Sequence, residues 1–231
     1  MLAVNALNHF YGGSHTLWDV NLNVPPGSRM CLMGRNGMGK TTLLKCIMGL
    51  QPVRSGSITF QGSELAGSPA ERRARLGIGY VPQGREIFPH LTVAENLRVG
   101  LGLRPGGPRK IPDRIFELFP MLAQMLKRRG GDLSGGQQQQ LAIGRALVLE
   151  PSLLILDEPT EGIQPNIVHE IGDVVLKLNQ EERLTVLLVE QKLPFARRVA
   201  SEFCILNKGR RVAAGPIGEL SDEVVNAHLS V

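Results

Sequence analysis

The chain has 231 residues, of which 42% are hydrophobic and 20% charged, so it can bury the core of one large globular domain, and neither disorder nor a fibrous protein is indicated. Its 26 lysines and arginines against 21 acidic residues give a net charge of +5, which suits a polyanion or a phosphate-rich small ligand. The basic residues occur in short groups with few aromatic residues between them, so we do not expect a stacking surface for nucleic acid.

The cysteines and the N-terminus bear on the compartment. Cys31, Cys46 and Cys204 are isolated in apolar segments, which predicts buried thiols in a reducing compartment. The first ten residues lack the basic region of a secretory signal, and no apolar run approaches the roughly 18 residues of a membrane span. We therefore expect a soluble cytoplasmic chain whose membrane role, if any, comes through partners.

The first half of the chain alternates short apolar strands with turns. Strands are predicted at residues 22–24 and 29–33, on either side of a Pro-Pro-Gly-Ser turn, and at 58–60 and 78–81. Apolar residues within 43–50 recur at helical spacing. The second strand therefore leads through a glycine-rich segment into a helix.

Between residues 84 and 133 the composition changes to Pro- and Gly-rich loops around two predicted helices, one from Thr92 and one over 111–127, with no strand signal. This segment is predicted to be an all-helical insertion. The single domain is thus expected to comprise a core of residues 1–83 and 134–231, interrupted by the insertion at 84–133.

After the insertion, strands and helices alternate again. The predicted elements are a helix from Ser134, a strand at 153–156, a helix from Pro165, a strand at 184–189, and two strands at 203–206 and 211–214 that pair around Lys208-Gly209. The sequence predicts an α/β fold with a mostly parallel sheet, an N-terminal antiparallel β part and an all-helical insertion.

The segment at 34–42, Gly-Arg-Asn-Gly-Met-Gly-Lys-Thr-Thr, matches the phosphate-binding loop pattern. Glycines let backbone N–H groups approach phosphate oxygens, and the following helix N-terminus adds a positive dipole. Lys40 is expected to reach the β- and γ-phosphates, and the Thr41 hydroxyl to hold Mg²⁺. A structural glycine turn is the alternative, but the strand and helix on either side favour a phosphate loop. The predicted binding residues are Gly34, Asn36, Gly37, Gly39, Lys40, Thr41 and Thr42.

Two carboxylates follow the apolar strand at 153–156. Asp157 suits Mg²⁺ held through water, and Glu158 can polarise an attacking water. A pair of exposed acids at a strand end is the alternative, which the upstream phosphate loop disfavours.

The segment Ser134-Gly135-Gly136-Gln137 is the most specific signal. Ser134 is expected to cap a helix, but two glycines at a helix start cost roughly 1 kcal/mol each, so a plain cap does not account for them and a second anion site is indicated. With this segment, the phosphate loop and Asp157-Glu158, the chain resembles ATP-binding-cassette ATPases over essentially its whole length.

The resemblance implies a P-loop NTPase (RecA-like) core that uses ATP and Mg²⁺. In that family, a signature segment, which corresponds here to residues 134–137, closes over the nucleotide bound to another subunit. Ser134 and Gly136 would therefore contact the γ-phosphate in trans within a dimer. Gln83 matches the glutamine loop, which senses Mg²⁺ and the attacking water. Tyr11 stands where an aromatic ring stacks on adenine, although a lone Tyr could be structural.

This chain departs from the family pattern at two places. Residues 159–165 occupy the position of the family's dimer-contacting loop but lack its usual sequence. Glu190-Gln191 stands where the family presents a switch histidine. Gln191 can donate a hydrogen bond but cannot carry a proton near neutral pH, so it is expected to position a γ-phosphate and not to act as an acid or base.

The sequences at 161–165 and 189–191 resemble those of the ATPase subunits of branched-chain and polar amide importers. The sequences at 190–198 and 227–231 look most like the ATPase subunit of the urea importer. This resemblance implies two permease subunits, a second related ATPase subunit (a heterodimer, with a homodimer as the alternative) and, indirectly, a periplasmic solute-binding protein. The chain would then lie at the cytoplasmic face of the inner membrane.

Three other functions are weighed against that hypothesis. The same subunit type could serve branched-chain amino acids. A soluble cassette acting on DNA or ribosomes would carry a coiled-coil insertion or a second cassette, and neither is seen in this sequence. A non-catalytic regulatory module is disfavoured by the intact Lys40, Asp157 and Glu158.

Overall fold

The computed structural model describes residues 1–102 and 110–229. Its strands are β1 (Leu2–Tyr11), β2 (Ser14–Val24), β3 (Arg29–Met33), β4 (Ser55–Phe60), β5 (Ser63–Glu64), β6 (Ile78–Val81), β7 (Leu153–Asp157), β8 (Thr185–Val189), β9 (Glu202–Asn207) and β10 (Arg210–Pro216). Its helices are α1 (Lys40–Ile47), α2 (Ala70–Arg75), α3 (Val93–Leu101), α4 (Asp113–Leu118), α5 (Pro120–Gln124), α6 (Gly135–Leu147), α7 (Pro165–Glu182), α8 (Leu193–Val199) and α9 (Asp222–His228).

A mostly parallel sheet forms the centre of the fold. Within the described residues its strand order is β10-β9-β3-β8-β7-β6, and every neighbouring pair is parallel except β9 with β10. All five residues of β7 and of β8 are buried, which explains why both segments are continuous apolar runs. The prediction of a mostly parallel α/β sheet is confirmed.

The N-terminal strands form a second, antiparallel sheet in the order β2-β1-β4-β5. This sheet, α1 and one face of the central sheet enclose a core built around Leu43, Phe60 and Leu187. Helices α6, α7 and α8 cover the other face and enclose a second core that also contains Leu97 and Ile115 of α3 and α4. The central sheet is therefore buried between two apolar layers.

The segment between β6 and α6 contains α3, α4 and α5. The single helix predicted over 111–127 is wrong, because the chain forms two short helices that meet at Phe119. Pro120 disfavours helical geometry in the residue before it, and Phe119 adopts φ −131° and ψ 73°. An isolated bridge joins Thr92 to Arg129, so β pairing is not entirely absent. The Pro-Gly-rich loop predicted around residues 104–108 lies outside the described residues.

Several local predictions are confirmed. Ser134 caps α6, and Pro165 is the first residue of α7. The strands β9 and β10 pair around Lys208 and Gly209, which both have positive φ, as a two-residue hairpin requires. Cys31, Cys46 and Cys204 are buried free thiols. None of the helices in the described part of the chain has the length and apolarity needed to cross a bilayer.

Candidate active site

The phosphate-binding loop lies between β3 and α1, at the carboxyl end of the central sheet. Gly39 has φ +99°, and a Cβ atom there would lie 2.8 Å from Leu17 Cδ2. Gly34 has φ +146°, and its Cβ would lie 2.4 Å from the Leu206 carbonyl oxygen. Any side chain at these two positions would displace the loop, so both glycines are required by the backbone path.

Lys40 lies inside the loop. Its Nζ donates to the carbonyl oxygens of Gly34 at 2.7 Å and Arg35 at 3.0 Å and lies 3.7 Å from Glu158 Oε1. Burial lowers the pKa of the Lys40 ammonium, while the negative charges of Glu158 and Asp157 oppose that shift. The ammonium is thus held among oxygen atoms where phosphate oxygens can replace the loop carbonyls.

Asp157 ends β7 with its side chain buried. The residue is 1% exposed, and neither carboxylate oxygen makes a well-formed hydrogen bond among the described residues, although the Thr41 side chain is close enough to favour the charged form. Burial raises the pKa of this carboxyl to about 6. A buried carboxylate without partners is costly unless a cation compensates it, so Asp157 and the neighbouring Thr41 hydroxyl fit a hard divalent cation such as Mg²⁺.

Glu158 follows Asp157 but has several partners. Its φ of +49° turns the chain away from the strand, and its backbone N–H donates to the Val189 carbonyl oxygen at 3.0 Å. Gln191 Nε2 donates to its Oε1 at 2.6 Å, and Gln83 Nε2 approaches its Oε2 at 3.4 Å. The Glu158 carboxylate is therefore oriented by groups from two other loops.

Gln191 and Gln83 reach the two oxygens of this carboxylate from two different loops. Gln191 Nε2 also donates to Asn36 Oδ1 at 2.8 Å, which links the loop after β8 to the phosphate loop. Gln83 Nε2 donates to Glu161 Oε2 at 3.0 Å. Sequence reasoning missed Glu161, and its spacing of three residues from Glu158 is the one signal that points to it.

A cavity of about 350 Å³ opens at this point. Its lining residues are Thr16, Asn36, Gly37, Gly39, Lys40, Thr41, Thr42, Gln83, Glu158 and Glu161. Eight of the predicted site residues thus surround one space, whereas Gly34, Asp157 and Gln191 do not line it. Thr16 was not predicted, because nothing in the sequence of β2 marks it.

The signature segment does not line this cavity. Ser134 Oγ accepts from the Gln137 N–H, and Gln137 Oε1 accepts from the Ser134 N–H, which forms a capping box. A Cβ at Gly136 would lie 2.9 Å from Ile167 Cγ1, and one at Gly135 would lie 3.1 Å from the Arg85 guanidinium. Close packing within the chain therefore accounts for part of the glycine pair.

Tyr11 also lies outside the lining of the cavity. It is 44% exposed, and its ring meets the His9 ring edge-on at 4.6 Å between centroids. The Tyr11 side chain is thus partly accessible to a ligand in solvent. A separate exposed stack lies nearby, in which His15 is sandwiched between Phe10 and Trp18 at 4.0 and 3.5 Å.

Comparison with known proteins places this geometry in a family. The model of the ABC transporter family matches residues 17–161. The chain is 41% identical to the high-affinity branched-chain amino acid transport ATP-binding protein BraG of Pseudomonas aeruginosa, over 92% of this chain and 91% of that protein. It is 39% identical to the probable branched-chain amino acid transport ATP-binding protein LivF of Archaeoglobus fulgidus, over 95% and 94% of the two chains.

Solved structures agree with the sequence relatives. The ADP- and phosphate-bound dimer of the ATP-binding cassette MJ0796 superposes with a TM-score of 0.85 at 26% identity, covering 94% of this chain and 99% of that one. An ATP-binding subunit of an ABC transporter superposes equally well, with a TM-score of 0.85 at 30% identity, over 97% and 93% of the two chains.

The chain belongs to the ABC transporter family. It is the ATPase subunit of an ABC importer and uses ATP with Mg²⁺. The relatives do not favour the alternative of a soluble cassette that acts on DNA or ribosomes.

Proposed function

We propose that this chain powers the uptake of a small polar solute, urea or a short amide, by hydrolysing ATP at the cavity beside the phosphate loop. The observation that supports the hydrolytic role is the convergence of Lys40, Asp157, Glu158 and Gln191 at the ends of three adjacent strands. These residues are up to 151 positions apart in the sequence, from Lys40 to Gln191, and the strand order β3-β8-β7 brings them together.

In this proposal the phosphate loop and α1 bind the nucleotide. Backbone N–H groups of residues 34–42 and the Lys40 ammonium hold the phosphates, and the Tyr11 ring stacks on adenine. Thr41 and Asp157, with Gln83 close by, hold Mg²⁺. The bound cation would neutralise the negative charge that develops on the phosphates.

Glu158 polarises the attacking water in this scheme. Its carboxylate lies at the cavity wall, where Gln191 and Gln83 fix its orientation. Gln191 also bonds Asn36, so it is placed between the carboxylate and the phosphate loop. An amide there can orient a phosphate oxygen but cannot exchange a proton, so Glu158 carries the general-base role alone.

We infer a dimer with two composite sites. Ser134, Gly135, Gly136 and Gln137 stand outside the lining of their own chain's cavity, and the α6 N-terminus that they form suits an anion held by a second subunit. The partner is a related ATPase subunit in a heterodimer, and a homodimer is the alternative. Residues 84–133 act as the helical subdomain that presents this segment.

The permease surface in this proposal is an apolar groove next to the glutamine loop. The groove has a volume of about 620 Å³ and is lined by Phe88, Val99 and Arg145 among others. Phe88 is 43% exposed and Val99 is 45% exposed, and the Arg145 guanidinium lies over the Phe88 ring at 5.0 Å. An exposed apolar groove of this kind fits a helix of a permease subunit. The proposed assembly has two permease subunits, and this chain would lie at the cytoplasmic face of the inner membrane.

The solute itself does not touch this subunit, so its identity rests on resemblance. The sequence at 190–198 supports urea or a short amide as the solute. Branched-chain amino acids are the second candidate, and the similarity to BraG and LivF favours them.

Uptake of labelled urea and of labelled leucine in cells that lack this chain tests the proposal. We expect urea uptake to be lost and to return when the chain is restored, while a Lys40→Ala chain does not restore it. Loss of leucine uptake alone would replace urea by branched-chain amino acids. If neither uptake changed, the importer assignment for these solutes would be wrong.

A further inference from the structure

A buried carboxylate lies directly behind the candidate active site. Glu190 is 3% exposed, and its Oε2 accepts from the Thr160 hydroxyl at 2.7 Å. Its Oε1 accepts from the backbone N–H groups of Gln191 at 2.8 Å and Lys192 at 3.0 Å. The side chain therefore binds its own loop and the neighbouring loop at the same time.

A second hydrogen bond joins the same two loops, with a donor side chain after β8 and an acceptor after β7. Lys192 Nζ donates to the Thr160 carbonyl oxygen at 2.8 Å. Thr160 is fully buried and lies two residues after Glu158, in the loop that follows β7. The loops after β7 and β8 are thus joined by a carboxylate and by an ammonium, both hydrogen-bonded to Thr160.

The position of Gln191 explains why such a connection matters. Its Nε2 must reach Glu158 Oε1 at 2.6 Å and Asn36 Oδ1 at 2.8 Å together. A glutamine side chain has three rotatable bonds and loses up to about 2 kcal/mol of rotamer freedom when it is fixed. A flexible side chain in this place needs a fixed backbone, and the Glu190 carboxylate fixes the N–H groups of residues 191 and 192.

We propose that Glu190 is a positioning residue that, through Thr160, holds Gln191 and Glu158 in register for ATP hydrolysis. The inference rests on the proposed roles of Glu158 and Gln191. Glu190 does not line the cavity, so it acts through the two loops and not on the nucleotide.

The first test compares Glu190→Gln and Thr160→Val with the wild type in steady-state ATP hydrolysis. Glu190→Gln leaves one carbonyl oxygen where two carboxylate oxygens accept three bonds, and Thr160→Val removes the hydroxyl at nearly constant shape. We expect kcat to fall roughly tenfold in each variant, because charge-assisted bonds are lost. KM and the affinity for ATP should stay within about twofold, because the phosphate loop is untouched.

A matched control separates positioning from general loss of stability. Thr185 is buried on β8 and its hydroxyl accepts from the Gly27 N–H at 2.9 Å, far from the loops at the sheet's carboxyl end. Thr185→Val should lower the melting temperature about as much as Thr160→Val and leave kcat unchanged. Thr160→Ser, which keeps the hydroxyl, should restore most of the kcat that Thr160→Val loses.

A double-mutant cycle completes the test. Gln191→Ala should lower kcat by itself, and adding it to Thr160→Val should cost little more, because both variants disturb one arrangement. Additive losses, equal kcat losses in Thr160→Val and Thr185→Val, or wild-type kcat in Thr160→Val would each overturn the positioning role. If Gln191→Ala alone keeps full kcat, the failure lies instead in the proposed role of Gln191.

Discussion

At the scale of single residues, the two adjacent carboxylates at the end of β7 have opposite surroundings. Asp157 is buried with both oxygens unpartnered among the described residues, whereas Glu158 has hydrogen-bond partners in two loops. The left-handed φ of Glu158 separates them. One carboxylate is thereby suited to a cation and the other to a polarised water, although both share one sequence motif.

The buried Asp157 predicts a pH-dependent stability. Its pKa is about 6 in the folded chain and 3.8 ordinarily, so between these values the folded state binds a proton that the unfolded state lacks. The contribution of Asp157 to stability should therefore fall as pH rises from about 4 to 6. In EDTA, Asp157→Asn should remove this part of the slope and be more stable than wild type by about 3 kcal/mol at pH 7. Urea unfolding across this pH range measures both effects, and an unchanged slope would contradict them.

Replacing Glu158 by Gln should separate ATP binding from ATP hydrolysis. The amide keeps the volume of the side chain but cannot take a proton, so turnover should fall by a factor of about 100 or more. ATP affinity should remain, and an ATP-bound dimer should accumulate in light scattering. Glu170→Gln is the matched control, since this exposed carboxylate accepts from Gln140 at 2.9 Å and does not line the cavity. Undiminished turnover in Glu158→Gln would remove its assigned role.

At the scale of secondary structure, the start of α6 serves two demands at once. The capping box satisfies its first N–H groups, and Gly136 lets the helix pass close to Ile167 of α7. The sequence indicates only the cap and the anion site, because the contact with α7 depends on how the helices pack. A glycine in this place therefore has a structural as well as a proposed functional reason.

The two reasons for Gly136 can be separated. Gly136→Ala should destabilise the chain by about 1 to 2 kcal/mol despite the better helix propensity, because its Cβ meets Ile167. Adding Ile167→Ala should recover most of that loss. If Gly136 also contacts nucleotide in trans, turnover should stay low in the stabilised double variant. Chemical denaturation and ATPase rates measure the two effects, and full recovery of both would leave packing as the sole role.

Strand and helix prediction succeeds where periodicity is plain and fails where it is broken. The apolar runs of β7 and β8 are recognisable without structure. β1 is not, because irregular pairing after Val4 and Leu7 disturbs its alternation of buried and exposed residues. α2 is missed because its buried position is filled by Arg73, whose guanidinium donates to four backbone carbonyl groups. Charge hides the periodicity there.

At the scale of the whole molecule, the order of strands decides which residues meet. Sequence motifs identify Lys40, Asp157 and Glu158 from the local sequence alone. The bonds from Gln191 to Glu158 and Asn36 could not be predicted, because they require β8 to lie between β3 and β7. Non-local strand pairing leaves no trace in the local sequence. Some residues of the site could therefore be identified from the sequence, but the contacts between them could not.

Mixing two inactive variants tests the composite sites. Lys40→Ala disables the phosphate loop, whereas Ser134→Asp keeps the α6 cap and adds a charge that repels phosphate. In a homodimer, the alternative assembly, equal mixing should give about half mixed dimers, each with one intact site, and so roughly a quarter of wild-type turnover. Ser221→Asp, the same change at the α9 cap, should leave turnover unchanged. No recovery on mixing would argue against trans sites in a homodimer.

The place of β3 in the sheet has a consequence for synthesis on the ribosome. β3 ends at Met33, yet its two neighbours in the sheet are β8 and β9, which finish at Val189 and Asn207. A nascent chain shorter than about 190 residues therefore carries its phosphate loop on a strand with both edges unpaired. Binding of ATP, and the stabilisation that it brings, should therefore become available only late in translation, and until then the unpaired edges of β3 are open to pairing with other chains.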